Sequence, residues 1–446
     1  MISLWQLWQR TTVQRQGRTL LIEADTGRSW TGAELSVAAI AMAAQLPAEL
    51  HGRTVAFCLP NSAEWFVRFL AIQRSGAVAV PLDPSLSADV QDQVSHSLGV
   101  QFLWSIAGVR PVVRTTKKTR RYCCSKITSG TSGQPQAVMC AADHLIADGR
   151  NILSSMGIRA TDRNLASIPF GHSYGLGSLV MPLLMQGTAV VTTAAYLPHE
   201  ILRVITTHRV TVFPTVPAVL RALAQLSGLT ASRSLRLVVS AGGPLSAEIA
   251  QQFHQHYSLR IHNFYGASET GGICYDRTGA ATLIGRGIGT PLTGVTVSVR
   301  RDGRICVTSS AVAAPRRRVT LADLGRWNQR GELELVGRSR PLANIGGKKV
   351  APSEVEACLR QSTRVADAWV TVLQDGRGND YLAAAVETKL ARAELEHLLL
   401  QRLPAWKLPK RYWCSATLPR TDRGKLDTTY LRARLMASLP CATTVS

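Results

Sequence analysis

Paired cysteines, a leader-like start and acidic residues are what this sequence lacks. Its nine cysteines form no CxxC pair and no metal-ligand spacing, which excludes a zinc ribbon or a disulfide-stapled scaffold. Cys123 and Cys124 are adjacent, a poor geometry for a structural disulfide, so a reduced, cytoplasmic setting is expected. Residues 1–17 carry Trp5, Gln6, Trp8, Gln9 and Arg10 where a signal peptide needs an apolar core. The most apolar stretch, residues 176–197, is interrupted by Gln186 and Gly187. It reads as a core helix and a buried strand rather than a membrane span, and a soluble protein is expected. Acidic residues number 29 against 51 Lys and Arg, a formal charge of +22. The bases cluster at Arg110, Arg114, Lys117, Lys118, Arg120 and Arg121, and again at Arg316, Arg317 and Arg318. Such a surface attracts nucleic acid, anionic lipid or an acidic carrier protein, or is an Arg-rich solvated face with no partner. No aromatic side chains interleave the clusters to stack on bases, which argues against nucleic-acid recognition.

What is present is core-forming residue and α/β texture. At 446 residues and 46% hydrophobic, the chain exceeds a single core and should hold two or three domains. Residues 54–59 read as a strand ended by Pro60-Asn61-Ser62. Ser62 then caps a helix over 63–74, Gly76 breaks it, and 77–82 form a second buried strand. That βαβ unit implies a parallel sheet. A second unit runs from a helix at 176–185 through a strand at 189–191 to one at 210–213. Residues 331–336 alternate as a half-exposed strand should, and 337–341 follow as a hinge. Beyond it, a helix (353–360), two strands (368–373 and 381–386) and a helix (392–400) suit a small α+β domain. The expected architecture is α/β: a large N-terminal domain, residues 1–339, with parallel-type sheets flanked by helices, and a small α+β domain, residues 340–446. No repeat or low-complexity segment interrupts it.

Three loops carry candidate chemistry. Thr128-Ser129-Gly130-Thr131-Ser132-Gly133-Gln134-Pro135 follows a strand, with glycines that let backbone N–H groups converge on an anion and hydroxyls as further donors. It is not the GxxxxGK[ST] loop, and read alone it is a flexible turn. In Asn263-Phe264-Tyr265-Gly266-Ala267-Ser268-Glu269-Thr270, a ring that can cover a base precedes a carboxylate that can hold Mg²⁺. In Leu418-Pro419-Arg420-Thr421-Asp422-Arg423-Gly424-Lys425-Leu426, a lysine follows a glycine turn; alone, it is a solvated surface lysine.

In their order and approximate spacing these segments resemble the signature motifs of the adenylate-forming superfamily of acyl-CoA synthetases, peptide-synthetase adenylation domains and luciferases. Residues 128–138 resemble its phosphate loop, and 265–269 its Tyr-Gly-x-Thr-Glu motif with Ser268 replacing Thr. Asp323 in Ala322-Asp323-Leu324-Gly325 matches the ribose-binding aspartate. Gly337-Arg338 and residues 349–356 resemble the hinge and thiol-tunnel segments, and Pro419 to Lys425 the catalytic-lysine loop. Val80-Pro81-Leu82-Asp83-Pro84 and Ser240-Ala241-Gly242-Gly243-Pro244-Leu245 also fit. The match spans about residues 30–435.

The resemblance implies ATP-dependent activation of a carboxylic acid to acyl-AMP, then transfer to a pantetheine thiol of CoA or of an acidic acyl carrier protein. Two anions must meet in the first step, so Mg²⁺ and a cation must screen them. It assigns Thr128, Ser129, Gly130, Thr131, Ser132 and Gly133 to the ATP phosphates and Glu269 to Mg²⁺. Tyr265, with Gly266 and Ser268, covers adenine; Gly242, Gly243 and Pro244 line its other side. Asp323 accepts the ribose hydroxyls, helped by Arg338, and Lys425 bridges the carboxylate and α-phosphate. His172 gates the carboxylate site, while Phe213, Val216 and Gly271 line the acyl pocket. Gly346, Gly347 and Lys349 border the thiol tunnel, and Arg340 is the hinge. Small residues at Gly175, Gly177 and Ser178 suggest an aryl or medium-chain acid, and no Asp stands where amino-acid-activating relatives bind an amine. The sequence departs from the pattern at Gln136-Ala137, where Lys-Gly is usual, at Arg340-Pro341, and in the shortened basic segment 305–323. Gln136 and Arg340 also motivate an alternative, a nucleotide-binding pseudoenzyme or regulatory partner, against which Lys425 and Glu269 stand.

Overall fold

The structure is a computed structural model; it describes every residue except 1, 85, 114–117, 130–134, 196, 227–231, 339–342, 346–347, 376–378, 422–423 and 438–446. Two compact units divide it. The first holds Met1–Ser298, Cys306–Val319 and Asn328–Leu333; the second holds Val299–Ile305, Thr320–Trp327 and Glu334–Ser446.

The first βαβ unit forms as its residues dictate. Strand Thr54–Cys58 pairs in parallel with Val78–Leu82, and helix Ala63–Arg74 connects them. Ser62 Oγ accepts the Trp65 N–H at 3.1 Å, satisfying a donor the first turn leaves open. Gly76 takes a left-handed φ of +68°, where a Cβ would meet the His51 ring. The helix is buried nearly all round because it packs against helices Gly32–Ala44 and Leu4–Gln14 as well as strands Val78–Leu82 and Thr19–Glu23. Trp65 stacks on Phe69 at 5.3 Å and meets Phe57 at 5.4 Å and Phe170 at 5.2 Å. Each such ring stabilises the packing by about 1.5–3 kcal/mol.

One sheet has six strands in the order Gly108–Pro111, Phe102–Ser105, Thr54–Cys58, Val78–Leu82, Cys124–Ser129, Pro135–Cys140. Its middle four are parallel and both edges antiparallel. The other has nine, in the order Thr290–Pro291, Gly271–Tyr275, Ile261–Ala267, Leu237–Ser240, Val212–Thr215, Arg163–Ala166, Ala189–Thr192, Thr19–Glu23, Arg28–Thr31. Its six central strands are parallel. Helices Pro198–Thr207, Pro217–Ala224 and Ala247–Tyr257 cover one face, burying Ile201, Phe213, Leu220, Val238 and Phe253 in one core. The α/β expectation is met.

The second βαβ unit differs from its reading. Strand Arg163–Ala166, absent from that reading, lies between Ala189–Thr192 and Val212–Thr215 and is parallel to both. The helix expected over 176–185 begins at Ser173, passes through a π turn at Leu176–Val180 and ends at Gln186. Pro182 has no N–H to offer Ser178, and the Ser178 carbonyl accepts from Asn164 Nδ2 at 3.1 Å instead. Among the described residues no helix is long and apolar enough to cross a membrane.

In the second unit, helix Pro352–Arg360, strands Val365–Gln374 and Asp380–Thr388, and helix Arg392–Leu400 occur where expected. Strand Arg411–Ser415, parallel to Asp380–Thr388, and helix Thr428–Ala437 were not read from the sequence. Strands Val295–Val299, Arg304–Ser309, Arg318–Trp327 and Leu333–Arg338 form a four-stranded sheet. In the last of these Leu333 is buried but Leu335 and Val336 are exposed, so burial does not follow the expected alternation.

Candidate active site

In an open parallel sheet, side chains that bind ligands gather beyond the carboxyl ends of the strands, where loops carry backbone donors. In the first unit the residues expected to bind ligands lie at such ends. Strand Arg163–Ala166 runs into the segment carrying His172, Val212–Thr215 into Val216, Leu237–Ser240 into Gly242 to Pro244, and Ile261–Ala267 carries Tyr265 and Gly266.

Asn61 organises the first of these loops. Its Nδ2 donates to the Ala166 and Ile168 carbonyls at 3.1 and 2.8 Å, and its Oδ1 accepts the Phe170 N–H at 2.7 Å. The loop closes as Ser167 Oγ donates to the Pro214 carbonyl at 2.8 Å. His172, half-buried, caps the short helix Ser173–Gly175, its Nδ1 accepting the Tyr174 N–H at 3.3 Å. Tyr174 is buried, donates its hydroxyl to the Val239 carbonyl at 3.0 Å and lies 5.6 Å from the Phe264 ring. Burial pushes its phenol well above the ordinary range.

The loop at Gly242 to Pro244 is exposed and lies against the Val212–Thr215 exit. A methyl placed on Gly242 would lie 3.8 Å from Val216 Cγ1, and one on Gly243 3.8 Å from Pro217 Cγ. Tyr265, Ser268 and Glu269 are half-buried, Gly266 exposed. Glu269 stands in the turn between Ile261–Ala267 and Gly271–Tyr275, and its carbonyl accepts the Ala313 N–H at 3.0 Å. Gly271 has φ +71°, and a Cβ there would overlap the Asp148 carboxylate. Phe213 is a correction: its ring is fully buried in the helix-side core, where it supports the wall but offers no surface to an acyl group.

The remaining expected residues lie elsewhere or outside the description. Residues 130–134, Arg340, Gly346 and Gly347 fall outside the described residues. Thr128 and Ser129 end strand Cys124–Ser129, opposite Gln136 and Pro135. In the second unit Asp323 is half-buried on strand Arg318–Trp327. Arg338 ends Leu333–Arg338, and Lys349 lies in the hairpin strand Lys348–Val350. Lys425 is exposed in a tight turn: its carbonyl accepts the Thr421 N–H at 2.7 Å, and Gly424 has φ +71°. Arg420 anchors that turn to Asp367 and Glu387 at 2.9 and 3.0 Å.

Sequence reasoning gave no role to Asn61, Tyr174 or Asp148. Asn61 carried a signal as the residue after a strand-ending proline, and Tyr174 as the aromatic residue of the segment that holds His172.

Comparisons with known proteins bear on the family and the fold. The chain is 25% identical to 4-coumarate–CoA ligase 5 of Oryza sativa subsp. japonica, covering 96% of this chain and 93% of that protein. It is 27% identical to part of a linear gramicidin synthase of Brevibacillus parabrevis, over 89% of this chain and 6% of that protein. In fold it resembles O-succinylbenzoate coenzyme A synthetase of Bacillus subtilis in complex with AMP, with TM-score 0.80, 23% identity and 98% of each chain covered. A Mycobacterium tuberculosis fatty acyl CoA synthetase gives TM-score 0.78 at 20% identity, covering 98% of this chain and 99% of that one. The family model described as AMP-binding enzyme matches residues 8–126 and 122–313, and with these loops at the strand ends the chain belongs to that family of adenylate-forming enzymes.

Proposed function

We propose that this chain is an acid–thiol ligase that forms an acyl-AMP from ATP and an aryl or medium-chain carboxylic acid lacking an amine. It then passes the acyl group to the pantetheine thiol of CoA or of an acidic carrier protein. The observation that carries the reading is the placing of Tyr265, Glu269, Gly242 to Pro244, Val216 and His172 at or just beyond the ends of four consecutive parallel strands in one unit. The names of the relatives, CoA ligases among them, support CoA as acceptor, and the +22 charge suits either anionic partner.

In the first half-reaction a carboxylate oxygen attacks the α-phosphorus, and the bond to pyrophosphate breaks. Tyr265 covers adenine against Gly242 to Pro244, Asp323 accepts the ribose hydroxyls, and Lys425 supplies a cation to the oxygens where charge develops. In the second, the thiol adds to the acyl carbonyl, loses its proton, and AMP leaves. Val216 borders the acyl group, with Tyr174 as the wall behind it. Among the described residues no group of three or more His, Cys, Asp or Glu could hold a metal. Mg²⁺ would arrive with the nucleotide and take one protein carboxylate, Glu269; when bound it would screen the phosphate charge. The lysine-bearing lid corresponds to residues 340–446.

The test is ATP–pyrophosphate exchange against a panel of aryl, medium-chain and amino acids, followed by mass detection of the acyl thioester with CoA or a carrier protein. Exchange with aryl or medium-chain acids is expected; exchange driven only by amino acids, or by none, would overturn the reading.

A further inference from the structure

Lys126 and Asp148 form an ion pair at 3.6 Å in which each side chain is only 3% exposed. Removing two charges from water costs about as much as their attraction returns, so a pair this buried calls for a role other than stability. Lys126 lies on strand Cys124–Ser129, two residues before Thr128, in a hairpin that pairs it with Val138 and pairs Thr128 with Gln136. Asp148 lies on helix Ala142–Met156. Its Oδ1 also accepts the Gly272 N–H at 2.8 Å.

The carboxylate occupies a niche that only glycines leave open. A Cβ on Gly271 would overlap it, and one on Gly177 would lie 3.2 Å from Oδ2. Gly272 in turn pairs with Gly266 across the antiparallel strands, at a register shift next to Tyr265. A continuous set of contacts therefore runs from Lys126 through Asp148 and Gly272 to the residues beside Tyr265. Among the described residues the carboxylate paired with Lys126 is Asp148, and burial pushes the neighbouring Cys124 and Cys140 thiols up. Burial is the largest influence on Lys126 and opposes its charge, but Asp148 and the two neighbouring sulfur groups together more than offset it and favour the ammonium.

We propose that the Lys126–Asp148 pair is a positioning device for ATP, fixing the strand that enters residues 130–134 against the hairpin that carries Tyr265 and Glu269. The inference rests on the function proposed above. It gives this chain a means of holding the phosphate side of the site where Gln136 replaces the usual lysine. Neither residue need touch the nucleotide.

The test compares Lys126→Met, Asp148→Asn and the double variant. Each single change leaves one buried charge and lowers the thermal midpoint; the double change removes both and restores folding. If the pair positions ATP, the double variant keeps a raised Kd and KM for ATP, about tenfold, the weight of one charge-assisted hydrogen bond. Its kcat for exchange then stays within about threefold of the unaltered chain. A folded double variant with unaltered Kd and KM overturns the proposal, because the pair would then only fill space. Should the double variant fail to fold, amide exchange of the unaltered chain decides. Saturating ATP is expected to protect the Gly272 amide together with strand Cys124–Ser129, and no change at Gly272 overturns it. A chain that binds ATP yet exchanges pyrophosphate with no acid sinks the proposed function alone, and the ATP Kd and amide exchange still decide this inference. A chain that binds no ATP overturns both.

Discussion

Replacing Gly271 by alanine puts the glycine-lined niche to a quantitative test. The residue has φ +71°, and holding alanine in the left-handed region costs about 1–2 kcal/mol. The added methyl would overlap the Asp148 carboxylate, which must then leave Gly272 N, 2.8 Å away, and Lys126, 3.6 Å away. Breaking a buried charge pair costs about 3–5 kcal/mol, so the total reaches about 4–7 kcal/mol, a large part of the ~5–15 kcal/mol that holds a typical protein folded. Gly242→Ala is the control: its φ is +87°, but the nearest side-chain atom to a new Cβ is Val216 Cγ1 at 3.8 Å. Only the backbone cost of about 1–2 kcal/mol applies there. At about 2–4 °C per kcal/mol, calorimetric scans should place Gly271→Ala on the order of 10 °C below Gly242→Ala. Equal midpoints for the two variants would refute the packing described around Asp148.

Other outcomes follow from the same geometry. Asn61→Ala removes three hydrogen bonds to the segment leading to His172; it should cost about 2–4 kcal/mol in thermal unfolding and raise KM for the acid more than KM for ATP. Lys425→Ala should lower pyrophosphate exchange by about 10²–10³, the weight of one preorganised donor, without moving the thermal midpoint, since the side chain is exposed. Glu269→Gln should shift the Mg²⁺ dependence of exchange to higher concentration, and an unchanged Mg²⁺ titration would contradict its role. His262 is held below the ordinary imidazole range by burial, with its bond to the Asp276 carbonyl opposing. A ring neutral in the fold contributes fully above pH ~6.5 and loses that contribution as pH falls below it. The thermal midpoint should therefore drop on acidification from about pH 7.5 to about pH 5.5, and less steeply in His262→Gln.

The sequence made the local rules legible and the sheet order opaque. Ser62, the apolar run at 63–74 and Gly76 specified one helix and its ends because capping and burial act within a few residues. Strand Arg163–Ala166 escaped notice because Arg163 and Asn164 break any apolar run, and its place depends on Asn164 reaching a carbonyl freed by Pro182. Tyr265 and Glu269 stood out because motif spacing is local. Phe213 was assigned to a pocket because sequence does not tell which face of a buried strand meets helices. Lys126 and Asp148 could not be paired from sequence at all. An isolated lysine in a strand reads as a solvated residue, and only the fold puts an acid beside it.

The parallel sheet also bears on how the chain is made. Strand Thr19–Glu23 can pair at once with Arg28–Thr31 but meets its parallel neighbour only in Ala189–Thr192, and Thr192 Oγ1 bonds the Ile22 carbonyl across 170 positions. At about 5–20 residues per second, the parallel edge of this two-stranded piece, with Leu20, Leu21 and Ile22, waits roughly 10–30 s before that partner emerges. During synthesis this short apolar segment is a natural holding point for a chaperone, and slower translation between residues 23 and 189 lengthens its exposure to aggregation.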